Sequence, residues 1–119
     1  MSNKDDASDE LDRVFKALAN PIRRAICDEL KLRPLTTGQL ATCFPDIDRT
    51  TVMMHLRVLD RAGLLVSVKK GRKRFNYLDA MPIHAIHARW IGPHAARAAD
   101  GLAKLKSELE AKAEVSPGE

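Results

Sequence analysis

DRTTVMMHLRVLDRAG, residues 48–63, reads as a helix with two working faces. At roughly 100° per residue, Val52, Leu56 and Leu59 fall on one narrow stripe, and Thr50, Met54, Arg57 and Arg61 fall on the opposite one. Asp48 supplies the start signal, a carboxylate able to accept from the free amides of the first turn. Gly63 supplies the stop, a residue free to turn left-handed past the last turn. One face packs and the other meets a partner. The outward face carries Thr, Arg and Met with Asp60 as its one acid, so a polyanion is the expected partner, and double-stranded DNA is the first candidate.

Downstream of Gly63 the period changes from 3.6 to 2. Leu64, Val66 and Val68 alternate with Leu65, Ser67 and Lys69, and Arg74, Asn76 and Leu78 alternate with Phe75 and Tyr77. The stretch therefore predicts a hairpin turning at Gly71. Its tip, KKGRKR from Lys69 to Arg74, holds five bases around one glycine and is too charged to bury. Such a tip suits a wing lying along a phosphate backbone.

Upstream, Thr36 and Gln39 are spaced as a capping box for a short helix with Leu40 facing in, and Phe44-Pro45-Asp46-Ile47 turns the chain into the 48–63 helix. Two helices joined by so short a turn make a helix-turn-helix unit. Before them, Asn20-Pro21 pairs an N-cap with a proline at the first helical position, followed by the stripe Ile22, Ala25, Ile26 and Leu30. A first helix capped by Ser8 carries Leu11, Val14, Phe15 and Leu18, and residues 1–7 read as a disordered acidic tail.

Charge placement sharpens the reading. Residues 1–12 hold one base, Lys4, against five acids, whereas residues 49–77 hold eight bases against Asp60 alone. A basic surface this local, in a chain with a formal net charge of only +4, is the footprint of phosphate neutralisation rather than of general solubility.

The run TVMMHLRVLDRAGLL, with Leu40-Ala41 and Phe44 to Ile47 before it and KKGRKRFNYL after it, resembles the recognition helix and wing of ArsR-type winged helix-turn-helix repressors. The likeness extends from about Leu11 to Leu78 and implies a dimeric, DNA-binding transcriptional regulator. Members of that family often have Ser where this chain has Met53 and His or Arg where it has Met54, so the operator sequence does not carry over. The fold expected is mostly α with a small β-hairpin, in the order α-α-α-α-β-β-α. Arg49, Thr50, Met53, Met54 and Arg57 are the expected base-reading set, and Lys70, Arg72 and Arg74 the expected backbone contacts.

The same family includes arsenic-, zinc- and cadmium-responsive members, and the resemblance supplies two site patterns to test. The thiolate pattern Glu-Leu-Cys-x-Cys-Asp-Leu falls on residues 39–45, where Cys43 is the only one of its thiolates that survives. One thiolate does not make a three- or four-ligand soft site, and Cys27 is the only other cysteine. The pattern on the dimerising helix, anchored on His84, finds Pro82 at its acid, His94 one residue early and Arg97 at its last ligand. No metal ligands and no cofactor are therefore expected. A metal- or thiol-responsive repressor of the same fold is the alternative, and a winged helix used for protein contacts is another. An inducer is not specified by the sequence.

Met81-Pro82 opens the last helical region, residues 81–113, which Gly92-Pro93 should kink or break. Beyond the break, Ala95, Ala98, Leu102, Leu105 and Leu109 keep a 3-4 heptad spacing. Such a stripe at a chain end needs apolar cover, which a second copy of the chain would supply; Leu11, Phe15, Leu102, Leu105 and Leu109 are the expected dimer contacts. Residues 114–119 read as a frayed tail, leaving 8–80 as core and wing within one domain.

Other classes are disfavoured. The chain has no Gly-rich phosphate loop, nucleophile elbow or carboxylate cluster, so an enzyme is not expected. No apolar run approaches the roughly 20 residues that span a bilayer and no signal peptide precedes the acidic start, so a cytoplasmic protein with no membrane partner is expected.

Overall fold

The computed structural model describes the backbone of residues 3–115 and the side chains of residues 7–92 and 97–113. In chain order the elements are α1 (Asn3–Leu18), α2 (Pro21–Leu30), β1 (Leu35–Thr36), α3 (Thr37–Cys43), α4 (Arg49–Arg61), β2 (Leu65–Lys70), β3 (Lys73–Leu78), α5 (Met81–Trp90) and α6 (Gly92–Val115). They fall into two compact units, one ending at Ile83 and one beginning at His84. No described residue of α5 or α6 is buried.

Local signals account for most element boundaries. Asn20 Oδ1 accepts from the amides of Ile22 at 2.9 Å and Arg23 at 3.1 Å, a cap whose loss costs about 1 kcal/mol. The capping box at α3 is complete: Thr36 Oγ1 accepts from the Gln39 amide at 3.1 Å, and Gln39 Oε1 accepts from the Thr36 amide at 2.9 Å. Asp48 Oδ1 accepts from the Thr51 amide at 2.7 Å and starts α4, while Gly63 ends it with φ +78°. That left-handed angle strains any residue carrying a Cβ.

Two boundaries differ from the sequence reading. Residues 3–7, expected as a disordered tail before a Ser8 cap, belong to α1. Nothing between Asn3 and Leu18 breaks a helix, since the stretch holds neither proline nor glycine. At the other end, Glu114 and Val115 are still helical, and residues 116–119, expected as tail, lie outside the described residues. Of the kink or break expected at Gly92-Pro93, the structure has the break: α5 stops at Trp90, and Gly92 takes φ +51° where α6 begins.

The core of the first unit forms where α4 packs on α1, α2, α3 and β2. Ile26, Leu40, Val52, Leu59 and Leu64 are its largest fully buried side chains, each contributing roughly 1.5–3 kcal/mol of burial. Val52, Leu56 and Leu59 thus occupy the inner stripe read from residues 48–63. The sheet is antiparallel in the order β1-β3-β2, one short strand larger than the hairpin expected. Asn76 holds the added strand: it pairs with Leu35 in register, and its Nδ2 donates to Leu35 O and Thr37 Oγ1, each at 3.2 Å.

Candidate nucleic-acid interface

The expected reading surface of α4 is outward. Arg49, Thr50 and Arg57 are exposed, and Met53 and Met54 are 41% and 48% exposed, high for side chains this apolar. At the start of the helix, the backbone hydrogen bond from Thr51 holds the Asp48 carboxyl below its ordinary pKa, keeping the cap ionised beside Arg49 and Thr50.

The wing has two chemically different sides, set by strand register. Lys70 pairs with Lys73, Lys69 with Arg74, Val68 with Phe75, Ser67 with Asn76 and Val66 with Tyr77. The two-residue loop Gly71-Arg72 closes the hairpin, with Gly71 at φ +63°. Because facing residues share a side, Lys70 and Lys73 lie with Phe75 and Tyr77, while Lys69 and Arg74 lie with Ser67 and Asn76. Lys70 folds back along its own side: its Nζ is 3.4 Å from Tyr77 Oη and 5.7 Å from the Phe75 ring centroid. Arg74 Nη1 donates to Ser67 Oγ at 3.3 Å on the other side, and there it lines a groove shared with Met53 and Arg57 of α4.

Arg57 and Arg74, 17 positions apart in sequence, are therefore brought to one groove, whereas Lys70 is not. Arg72 occupies the exposed turn. Lys69, absent from the sequence-based set, shares the side of Arg74. The period-2 pattern counted outward from the 71–72 turn is the signal that could have found it.

His55 sits on the inner side of α4, only 5% exposed. Arg23 Nη1 lies 3.2 Å from its Nδ1, and the guanidinium also donates from Nε to Ala17 O at 2.7 Å and from Nη2 to Lys16 O at 3.2 Å. Burial, and then the Arg23 charge, lower the imidazole pKa. The residue is a structural tie under the reading surface, and sequence reasoning had no signal for its arginine partner 32 positions away.

Expected dimer contacts divide between the units. In the first, Leu11 is partly buried and Phe15 is 43% exposed. In α6, Leu102, Leu105 and Leu109 are 66%, 50% and 58% exposed along one face, flanked by a Lys106–Glu110 ion pair at 3.9 Å. The side chain of Ala95, assigned to the same stripe, lies outside the described residues, as does that of His94.

The remaining candidate ligands stay separate. His84 and His87 stack with ring centroids 6.4 Å apart, and among the described residues no three His, Cys, Asp or Glu side chains converge on a metal-sized site. Cys27 is buried, with its thiol pKa raised by burial and by Asp28, while Cys43 is exposed; both are free. No helix among the described residues is long and apolar enough to cross a membrane.

Residues 18–68 match a family model described as a helix-turn-helix domain. The chain is 39% identical over 75 residues to the HTH-type transcriptional regulator Rv2034 of Mycobacterium tuberculosis, a match covering 63% of this chain and 69% of that protein. It is 36% identical over 62 residues to the transcriptional repressor SdpR of Bacillus subtilis, covering 52% and 68%. Among solved structures, the crystal structure of an ArsR family transcriptional regulator superposes with a TM-score of 0.63 at 29% identity, covering 87% of this chain and 93% of that one. The solution structure of a homodimeric winged helix-turn-helix DNA-binding domain from Mycobacterium bovis, a possible ArsR-family regulator, gives a TM-score of 0.63 at 26% identity, covering 74% and 81%.

Proposed function

This chain belongs to the ArsR-type winged helix-turn-helix family of DNA-binding transcriptional regulators, and on that premise we propose that it is a homodimeric repressor reading a pseudo-palindromic operator in the cytoplasm. The observation that carries the proposal is the convergence of Arg57 and Arg74, from recognition helix and wing, on one groove beside exposed Met53. Arg49, Thr50, Met53, Met54 and Arg57 are the base-reading residues: Met54 suits a thymine methyl, and Arg57 suits guanine or phosphate. Arg72 and Arg74 fix register on the backbone, and Lys69 joins them from the same side as Arg74.

Dimerisation is the second half of the proposal. One recognition helix reads only a few base pairs, whereas two at a separation of about one DNA turn act as a single ligand for a two-fold site. The exposed Leu102-Leu105-Leu109 face is the pairing surface, and the homodimeric Mycobacterium bovis neighbour supports the reading. The role is one of binding rather than catalysis, since the fold presents a charged reading surface and an apolar pairing stripe.

The test is a binding selection from randomised duplex at a stated salt concentration, with sedimentation of the free protein and the complex. A two-fold consensus bound by two chains is expected. Weak binding without sequence preference, at any salt, would assign the fold to protein contacts instead.

A further inference from the structure

The groove between α4 and the wing has a volume of about 230 Å³ and a chemistry that DNA phosphate does not use fully. Met53 and Leu56 give it a mainly apolar lining, Arg57 and Asp60 lie on its helix side, and Ser67 and Arg74 on its wing side. A phosphodiester would engage the guanidinium groups, gain nothing from the apolar lining and be repelled by Asp60. A small organic anion that also carries a hydrogen-bond donor for Asp60 fits all three features. Ligand sites commonly combine such an apolar lining with a few polar groups that fix orientation, and a cavity of about 150 Å³ already holds benzene.

We propose that this groove is an effector site for a small aromatic or branched aliphatic carboxylate that also carries a hydrogen-bond donor. The carboxylate pairs with Arg57 and Arg74, the hydrocarbon body lies against Met53 and Leu56, and the donor meets Asp60. Two cations against one acid leave a net positive groove, which favours a monoanion over a neutral or cationic ligand. Occupancy removes both arginines from the surface assigned to DNA, so the ligand acts as an inducer by competition; this part rests on the proposed DNA-binding surface.

The full chain is titrated with 4-hydroxyphenylacetate while the Met53 methyl and the Ser67 amide are followed by NMR. Saturable shifts at both, with an affinity in the roughly millimolar range of ligands this small, are expected. The neutral 4-hydroxyphenylacetamide should bind about tenfold more weakly, phenylacetate several-fold more weakly, and inorganic phosphate should leave the Met53 methyl unmoved. The exposed pair Arg57→Met and Arg74→Met, checked for a parent-like circular dichroism spectrum, should lose the shifts.

Absence of saturable shifts, equal binding of the amide, or displacement of the probe by phosphate would each overturn the site, the last by making it a phosphate seat. Equal binding of phenylacetate would remove Asp60 and the donor requirement. Saturating probe should lower duplex affinity about tenfold or more, and unchanged affinity with the probe bound would overturn the inducer role. Failure of the DNA-binding proposal shows separately, as a parent protein without probe that binds no duplex.

Discussion

Arg23 Nη1 and His55 Nδ1 lie 3.2 Å apart, joining the first turn of α2 to the buried side of the recognition helix α4. The same guanidinium holds Lys16 O and Ala17 O near the end of α1, so one side chain ties three helices. As a donor to Nδ1, Arg23 selects the neutral imidazole with its proton on Nε2. The recognition helix is thereby oriented from beneath by a contact on its buried side.

A pH dependence follows. The native pKa of His55 lies below its ordinary 6.5, so on acidification the unfolded chain takes up a proton first. Stability from this residue is complete above about pH 6.5 and is lost as pH falls toward the native pKa. Denaturant midpoints of the parent should decline over that window more steeply than those of a His55→Gln variant. Parallel profiles would sink the assignment. Replacing Arg23 with Met should cost roughly 1–3 kcal/mol at neutral pH, since it removes the side-chain donors to Ala17 O and to a buried ring nitrogen.

The two sides of the wing should differ in DNA binding. Changing Arg72 or Arg74 to Ala should weaken specific and random duplex alike and flatten the salt slope by about one unit. Lys70→Ala should have a smaller effect, because Lys70 lies on the side of Phe75 and Tyr77, away from the Arg57 groove. Equal slopes for Lys70→Ala and Arg74→Ala would show that strand register does not sort the wing contacts.

Replacing Leu102 and Leu105 together with Asp should give a monomer whose operator affinity approaches its non-specific level. Sedimentation counts the subunits. Circular dichroism checks that α1–α4, whose core lies in a separate unit, remain folded. A folded monomer that binds the full operator as tightly as the parent would refute both the dimer and the two-fold operator.

Asn76→Leu should destabilise the first unit by roughly 1–3 kcal/mol, because it removes the side-chain hydrogen bonds to Leu35 O and Thr37 Oγ1 that tie β1 and α3 to β3. The lesion should be local to β1 and the start of α3, so amide exchange there should rise before it rises in α4. Uniform acceleration across the unit would argue against that local role.

Metal should not set operator affinity. Zinc, arsenite or cadmium at micromolar levels should change it by no more than a few-fold, because Cys43 stands without a second thiolate on α3 and the histidine spacing fails the family pattern. Stoichiometric binding that shifts affinity about tenfold, or roughly 1.4 kcal/mol, would show otherwise.

The features legible in the sequence are those that act over a few residues. Asn20, Thr36 with Gln39, Asp48, Gly63 and Gly71 each satisfy or redirect backbone next to them, so spacing alone placed α2, α3, α4 and the hairpin turn. The periodicity of residues 48–63 likewise separated the buried stripe from the outward surface, because a helix repeats at a fixed angle whatever it packs against. Tertiary structure decided what depends on partners far along the chain. His55 became a buried tie through Arg23, Asn76 became the anchor of an unforeseen strand through Leu35, and Arg57 met Arg74 across a groove while Lys70 turned away. A polar side chain carries no local mark of whether it will be buried or exposed, since that is set by the donors and acceptors that folding brings to it.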